Sequence, residues 1–322
     1  MSGESIVWTD ELAARLPGRV RHGASIGELS TYRVGGAASV LVQIDSVGDL
    51  ETVRSLVPRN TPFLVVGAGS NLLVSDSGFP GVAIQLGAEF ASVEIESTPP
   101  TTDGVPRVRV IAGGACMLPR LARQAVAAGL TGFEWAVGVP GTIGGAVRMN
   151  AGGHGSDMAA TVERVSVFNL RTGGPTMRSA EECGFGYRRS NIGPDDIVLF
   201  AELRLVRDPD RAAESSAELS EIVSWRRAHQ PGGQNAGSVF ANPPGDSAGR
   251  LIDECGLKGF RIGSAEVSAK HANFIQADPG GRADDVEALI QHVQRVVADR
   301  FGVELKVENR LIGFGPAQER ST

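Results

Sequence analysis

Cysteine is scarce in this chain: Cys116, Cys183 and Cys255 are the only three in 322 residues, and no C-x-x-C pair occurs. That excludes a disulfide scaffold and a cysteine-ligated zinc cluster, and it fits a reducing compartment. The five histidines, His22, His154, His229, His271 and His292, show no H-E-x-x-H spacing, so no metal site is expected. A Rossmann unit is excluded because no G-x-G-x-x-G occurs, and there is no Walker A lysine segment. Positive charge is in deficit. With 31 Lys and Arg against 37 Asp and Glu the net charge is −6, which argues against broad nucleic-acid binding. Long apolar runs are missing too. The most apolar stretch, Val126 to Val147, is broken by Glu134, Pro140 and several glycines, and it cannot cross a bilayer as a helix. The segment Met1-Ser2-Gly3-Glu4-Ser5 has no basic patch followed by an apolar run, so the expectation is a cytoplasmic protein without membrane insertion.

Glycine, by contrast, is abundant. The 42 glycines are close to twice the usual share of about 7% and follow no G-X-Y period, which points to a loop-rich enzyme. Hydrophobic residues make up 42% and charged residues 21%, ordinary for a globular chain long enough for two or three domains. Two glycine segments stand out. The first is Val65-Val66-Gly67-Ala68-Gly69-Ser70-Asn71-Leu72-Leu73-Val74. The second runs from Val137 through Gly138, Pro140, Gly141, Thr142, Gly144, Gly145 and Ala146 to Asn150 and Gly152. A residue without a Cβ lets its amide approach a ligand, and successive exposed amides form an anion-binding nest. Two nests in one chain suggest a diphosphate held from two sides, as a dinucleotide cofactor requires.

Around these segments the pattern is α+β. Strands are expected at Ser39–Ile44, Phe63–Val66, Gly81–Leu86, Arg107–Ile111, Val162–Leu170, Ile197–Val206 and Val303–Leu311. Helices are expected around Leu50–Val57, from Pro119 to Gly129, around Leu219–Arg226, from a cap at Asp246 through Glu254, and along the stripe Val286, Leu289, Ile290, Val293 and Val297. Ser97 to Pro106 reads as a loop or junction, and Asp208 to Glu214 as a charged linker. The expected division is 1–95, 96–210 and 211–322.

Each candidate motif has a plain alternative. Gly23-Ala24-Ser25-Ile26-Gly27 matches a nucleophile elbow, but that needs a buried strand before it and a helix after it. Gly67-Ala68-Gly69-Ser70-Asn71 is equally a tight turn between strands. Gly186-Tyr187-Arg188-Arg189-Ser190 is either a solvated turn or a guanidinium fork for a carboxylate or phosphate. Gly237-Ser238-Val239-Phe240 either enters a proline turn or presents a serine hydroxyl into a cleft. Lys270-His271-Ala272-Asn273-Phe274 can be a mere strand start. Glu308 shares strand parity with Glu304 and Lys306, which by default face solvent.

In joint order, Tyr32-Arg33-Val34-Gly35-Gly36, Gly67–Leu73, Gly138–Ala146, Gly186-Tyr187-Arg188, Gly237–Phe240 and Lys270–Phe274 resemble the UDP-N-acetylenolpyruvoylglucosamine reductase family over about Ser30 to Phe314. The resemblance implies an α+β fold. Its FAD-binding domain would be two-lobed, of the vanillyl-alcohol-oxidase type, and followed by an α+β C-terminal substrate-binding domain. It implies non-covalent FAD, held by Arg33, Gly67, Gly69, Ser70, Asn71, Gly138, Gly141, Thr142, Gly144 and Ala146, with NADPH as co-substrate. It places the catalytic arginine on Arg188, the proton donor on Ser238 and the glutamate on Glu308, with Tyr187, His271 and Asn273 toward substrate. The Arg188–Ser238 interval is short and Ala241 is not basic, which resembles the shorter subgroup that lacks a tyrosine loop. Lys306-Val307-Glu308-Asn309-Arg310 departs from the commoner Glu-Pro-Glu-Val-Arg.

The implied reaction is reduction of an enolpyruvyl ether to UDP-N-acetylmuramate in peptidoglycan synthesis, by a cytoplasmic protein expected to be monomeric. Arg188, assisted by Glu308 either protonated or positioning a proton or water, would stabilise charge building on the α-carbon and carboxylate, and Ser238 would protonate that carbon. A raised Glu308 pKa is expected on this account. Two other readings stay open at this point. One is a sugar or alcohol oxidase of the same fold, although the first glycine loop offers no histidine for covalent FAD. The other is a nucleotide-binding module without chemistry.

Overall fold

Residues 3–97 and 105–315 are described by a computed structural model; most of the loop expected at Ser97 to Pro106 lies outside the described residues. The chain divides into two units that are each discontinuous in sequence. One comprises Met1–Arg21, Val40–Ala68 and Ala83–Arg226, and the other His22–Ser39, Gly69–Val82 and Arg227–Thr322.

The first unit is organised by an antiparallel sheet. Its strand order is Pro175–Ser179, Val162–Asn169, Asp196–Arg207, Arg107–Gly113 and Val93–Ser97, with Leu130–Thr131 pairing the end of Asp196–Arg207. Alternation decides which face is buried. Val108, Val110 and Ala112 point inward and Arg107, Arg109 and Ile111 are less buried, as a strand with one covered face requires. The helix Leu118–Ala127 covers that face with Leu118, Leu121, Ala122 and Ala125. Pro119 opens it, and Gly129, with φ +69°, lies just beyond its end. Each buried leucine in this layer is worth about 1.5–3 kcal/mol. On the outer face Arg164 donates to Glu202 at 2.8 and 3.1 Å.

The same unit holds the helix Val47–Leu56, closed at its start by a reciprocal pair. Ser46 Oγ accepts from Asp49 N–H, and Asp49 accepts from Ser46 N–H. Asp208–Glu214 is not the linker expected. Pro209–Arg211 is a helical turn that leads into the helix Ala212–His229, where Arg211 pairs Glu214 at 3.0 Å and so draws the charged stretch into the first turn.

In the second unit the helix Ala283–Phe301 lies on a meander of Arg261–Ile262, Ala265–Val267 and Ile275–Ala277. Its stripe of Val286, Leu289, Ile290, Val293 and Val297 is fully buried, and Gly302 ends it at φ +67°. The first free amides are capped from far away in sequence: Asp76 accepts from Ala283 N–H and Asp284 N–H at 3.0 and 3.2 Å. Ser247, not Asp246, caps the helix Ala248–Glu254, because Asp246 is drawn into an ion pair with Arg250. The strand expected over Val303–Leu311 does not form. Val307 makes one antiparallel bridge with Phe240, and only Arg310–Ile312 is a strand, parallel to Leu72–Val74. Between these two pairings sits Asn309, wholly buried and hydrogen-bonded, and its polar demand breaks the alternation.

Candidate active site

In the first unit the strand Phe63–Val65 delivers Val66-Gly67-Ala68, anchored where Val66 N–H donates to Ile84 O at 2.8 Å. The second glycine segment is threaded along residues 114–118. Gly144 N–H donates to Gly114 O, Ile143 N–H to Cys116 O, and Leu118 N–H to Gly141 O, at 2.8–3.0 Å. Thr142 then caps the helix Ile143–Met149, its Oγ1 accepting from Gly145 N–H at 3.4 Å. The two segments meet: a Cβ on Gly67 would lie 2.5 Å from Thr142 Oγ1. A side chain there would force Thr142 to shift.

A cavity of about 240 Å³ opens at this junction, with Gly67, Ala68, Gln85, Thr142, Gly144 and Arg148 among its walls. It suits one portion of a dinucleotide, since whole small-molecule pockets run to about 300–1,000 Å³. The donors fit an anion on a nucleotide: small residues, a hydroxyl, and a half-buried guanidinium at Arg148. Burial holds the Arg148 pKa below its usual value, while Asp196 pulls the other way. Asp196 itself is pushed up by burial. Arg178, Asn169 and Gly193 N–H outweigh that and hold it below the usual carboxylate range. Gly138, Gly141 and Ala146 are not among the cavity walls. Gly138 is glycine for packing, because a Cβ there would meet Ile222 at 2.9 Å.

Arg188 and Tyr187 sit in the turn Gly186–Arg189 of the same unit. Arg188 adopts φ +56° and donates to Gly152 O at 3.1 Å, its guanidinium 5.2 Å from the Tyr187 ring. Arg189 is exposed, so the structure separates the two arginines that the sequence leaves adjacent. Asn150, missed in the sequence, holds this turn. It ends the helix at φ +40°, donates to Gly186 O and Asp157 at 3.0 Å each, and accepts from Ala159 N–H at 2.9 Å. The available signal is an asparagine just past a helix and before Ala151-Gly152-Gly153, where a left-handed residue belongs.

The second unit brings together the other candidates. Gly69 has φ +63°, and a Cβ on it would stand 2.2 Å from Leu29 O. Ser70 and Asn71 follow, both half-buried. Arg33 is exposed at φ +53°, its N–H turned into Ser30 O. Ser238 follows Gly237, which has φ +76°. Its neighbours are fixed from both sides: Glu308 N–H donates to Val239 O at 2.7 Å, and Val239 N–H donates to Asn273 O at 2.9 Å. Both ends of the Asn273 carboxamide are engaged, by Phe240 N–H and Phe240 O at 2.9 and 2.8 Å, so this residue supports the serine loop from below. His271 accepts Asn273 N–H on Nδ1 at 3.2 Å, which leaves the ring proton on Nε2. Burial pushes its pKa down, a backbone hydrogen bond at His271 opposes this, and Lys258 adds to the lowering. Asn309, also missed, donates to Asn71 Oδ1, Ala236 O and Ser238 O. The elbow reading of Ser25 fails, since the strand Val20–Ser25 is followed by turns and no helix.

Comparison with known proteins agrees with this arrangement. Residues 38–174 match the FAD binding domain family, and residues 229–312 match the C-terminal domain family of UDP-N-acetylenolpyruvoylglucosamine reductase. The UDP-N-acetylenolpyruvoylglucosamine reductase 2 of Symbiobacterium thermophilum is 40% identical over 304 residues, 94% of this chain and 95% of that protein. The reductase of Heliobacterium modesticaldum is 42% identical over 292 residues, 90% of this chain and 89% of its own. The crystal structure of the Thermus caldophilus reductase shares a TM-score of 0.76 at 36% identity, over 91% of this chain and 99% of that one. The expected α+β class with an FAD-binding domain and a distinct C-terminal domain is borne out. The chain therefore belongs to the UDP-N-acetylenolpyruvoylglucosamine reductase family of FAD-binding oxidoreductases.

Proposed function

We propose that this protein uses NADPH to reduce the enolpyruvyl ether of a UDP-N-acetylglucosamine to UDP-N-acetylmuramate, a cytoplasmic step of peptidoglycan precursor synthesis that serves cell-wall growth, shape and division. One hydride and one proton add across the carbon–carbon double bond, and NADPH becomes NADP⁺. Bound non-covalently, FAD supplies the two-electron chemistry that relays the hydride from nicotinamide to carbon. Residues 1–95 and 96–210 are assigned to holding it and 211–322 to the substrate. The protein is proposed to act as a monomer, and among the described residues no helix is long and apolar enough to cross a membrane.

Each residue has a task that its surroundings suit. Gly67, Gly144 and Thr142 shape a narrow cradle, and Gly69, Ser70, Asn71 and Arg33 are assigned to the same cofactor. Gly138, Gly141 and Ala146 keep the second segment packed so that Thr142 keeps its place. Arg188, on a turn fixed by Asn150, is assigned to the substrate carboxylate, where negative charge grows as hydride arrives at the β-carbon. A preorganised donor of this kind is worth about 3–4 kcal/mol. Glu308 is assigned to steady the same charge, which it does only while carrying a proton. Ser238 gives its proton to the α-carbon and recovers one from solvent. Tyr187 and His271, the latter through its Nε2–H, are assigned to orienting substrate, and Asn273 to holding the serine loop.

The observation that carries this reading is the backbone bond from Glu308 to Val239, which binds the glutamate segment to the serine segment. Mixing the protein with NADPH and the enolpyruvyl sugar nucleotide tests it. Without air, NADPH beyond one equivalent per flavin should be consumed only when the sugar nucleotide is present, and the product should be two hydrogens heavier than the substrate. Steady NADPH oxidation without the sugar nucleotide, or an unchanged sugar, refutes it. Flavin retained on the chain after denaturation would favour the oxidase reading.

A further inference from the structure

We propose that Asn309 is a positioning residue for the proton-transfer step, its buried carboxamide fixing the backbone that carries Ser238 and, through Asn71, the backbone that carries Glu308. The inference rests on the assignment of Ser238 as proton donor.

Asn309 is fully buried. Its Nδ2 lies 3.0 Å from Asn71 Oδ1, 3.1 Å from Ala236 O and 3.4 Å from Ser238 O. Two of those three partners are main-chain carbonyls, which only accept, so the orientation of the amide is settled by chemistry. Its Oδ1 accepts from the Tyr32 hydroxyl at 3.4 Å. Tyr32 is itself fully buried, and burial drives its phenol pKa far up, so it remains a donor across the working pH range. Asn71 completes the arrangement: its Nδ2 donates to Glu308 O at 3.1 Å, and its own carbonyl accepts from Arg310 N–H at 2.9 Å.

Three stretches far apart in sequence are thus joined by two side-chain amides: the glycine loop at Asn71, the serine loop at Ala236 to Ser238, and the segment Glu308 to Arg310. The serine loop especially needs the tie. Gly237 just before Ser238 has φ +76°, a conformation glycine leaves without difficulty. The carbonyls on either side of that glycine, Ala236 O and Ser238 O, are the two that Asn309 binds. The carboxamide therefore spans the loosest point of the chain next to the donor. A hydroxyl that must reach a carbon atom at one moment of the reaction depends on such a constraint, since a displacement of about 1 Å costs about 100-fold in rate.

The test uses the holoenzyme and separates its two half-reactions. Asn309→Val keeps the side chain's approximate bulk and removes all its hydrogen bonds. Enolpyruvyl reduction should slow by about 10–100-fold, while flavin reduction by NADPH changes by less than about twofold. In a Ser238→Ala background the same substitution should slow enolpyruvyl reduction clearly less than it does in the parent, because the part of its effect that runs through Ser238 is already lost. Amide hydrogen exchange over residues 236–240 should quicken in Asn309→Val. Equal slowing of both half-reactions, full additivity with Ser238→Ala, or unchanged exchange overturns the proposal. If Ser238→Ala is slow and Asn309→Val is not, the positioning role alone fails. If Ser238→Ala is itself normal, the donor assignment fails and the inference falls with it. Should Asn309→Val not fold, Tyr32→Phe removes only the hydroxyl that orients the carboxamide. The same split is then expected at about threefold, and its absence overturns the inference.

Discussion

Glu308 donates its backbone N–H to the carbonyl of Val239, the residue after Ser238, at 2.7 Å, beside the antiparallel bridge of Phe240 with Val307. The pairing makes the serine and glutamate segments one piece of structure. Ser238→Ala should leave that pairing intact, because it is entirely main-chain. We expect flavin reduction by NADPH within about twofold of the parent and enolpyruvyl reduction slower by about 100-fold or more, measured by stopped flow on each half-reaction. Equal loss in both contradicts the proton-donor role.

Gly67 stands against Thr142 where the two glycine segments meet. A methyl group at this position has to displace Thr142, whose Oγ1 would be 2.5 Å away, and overpacking of this kind costs about 1–3 kcal/mol. Gly67→Ala should therefore weaken FAD binding by about tenfold, read by titrating apoprotein with FAD. Gly232→Ala, where a Cβ would meet nothing within 4 Å, is the control and should leave FAD affinity unchanged.

Asn150 combines a left-handed backbone with three hydrogen bonds, one of them to the turn that carries Arg188. Asn150→Ala should destabilise the protein by about 2–4 kcal/mol and raise KM for the enolpyruvyl substrate as the Arg188 turn loosens. Asn150→Gly keeps the φ angle and loses the bonds. Denaturant melts of the two variants then separate backbone strain from hydrogen bonding, and alanine should be the worse.

Much of this arrangement was legible in the sequence, for local reasons. The helix Ala283–Phe301 was visible because its apolar stripe and the glycine after it lie within one stretch of chain. The glycine segments were visible because closeness of approach selects one residue type. What was hidden depends on distant partners. No local pattern says that Asn309 meets Asn71 and Ala236, so its neighbourhood reads as an alternating strand. No composition shift marks His22–Ser39 and Gly69–Val82 as companions of the C-terminal residues. The family resemblance places Asn273 toward substrate, and no local pattern shows that Phe240 takes both ends of its amide.

Stability should fall in acid in two stages. Burial lowers the pKa of His271, helped by Lys258, and that of His154, helped by Arg226. The unfolded chain therefore binds more protons there, and the stabilising contribution is complete above the ordinary histidine value of about 6.5 and is lost as pH falls below it. Asp196 is held below the ordinary carboxylate range, so its contribution persists above about 3.9 and disappears only as pH falls through its lower folded value. Urea melts between about pH 8 and 4 should show no histidine-linked change above about pH 7 and a decline below it, reduced in His271→Gln. A slope unaltered by that substitution contradicts the assignment.

A flavin that takes hydride from NADPH and passes it to an unsaturated sugar-nucleotide acid should bleach and recover in turn. An anaerobic absorbance titration tests it most directly. The purified protein should be yellow, lose its visible band on adding NADPH, and regain it on adding stoichiometric UDP-N-acetylglucosamine enolpyruvate. A colourless protein that cannot be loaded with FAD, or one whose band stays bleached when the sugar nucleotide is added, contradicts the account.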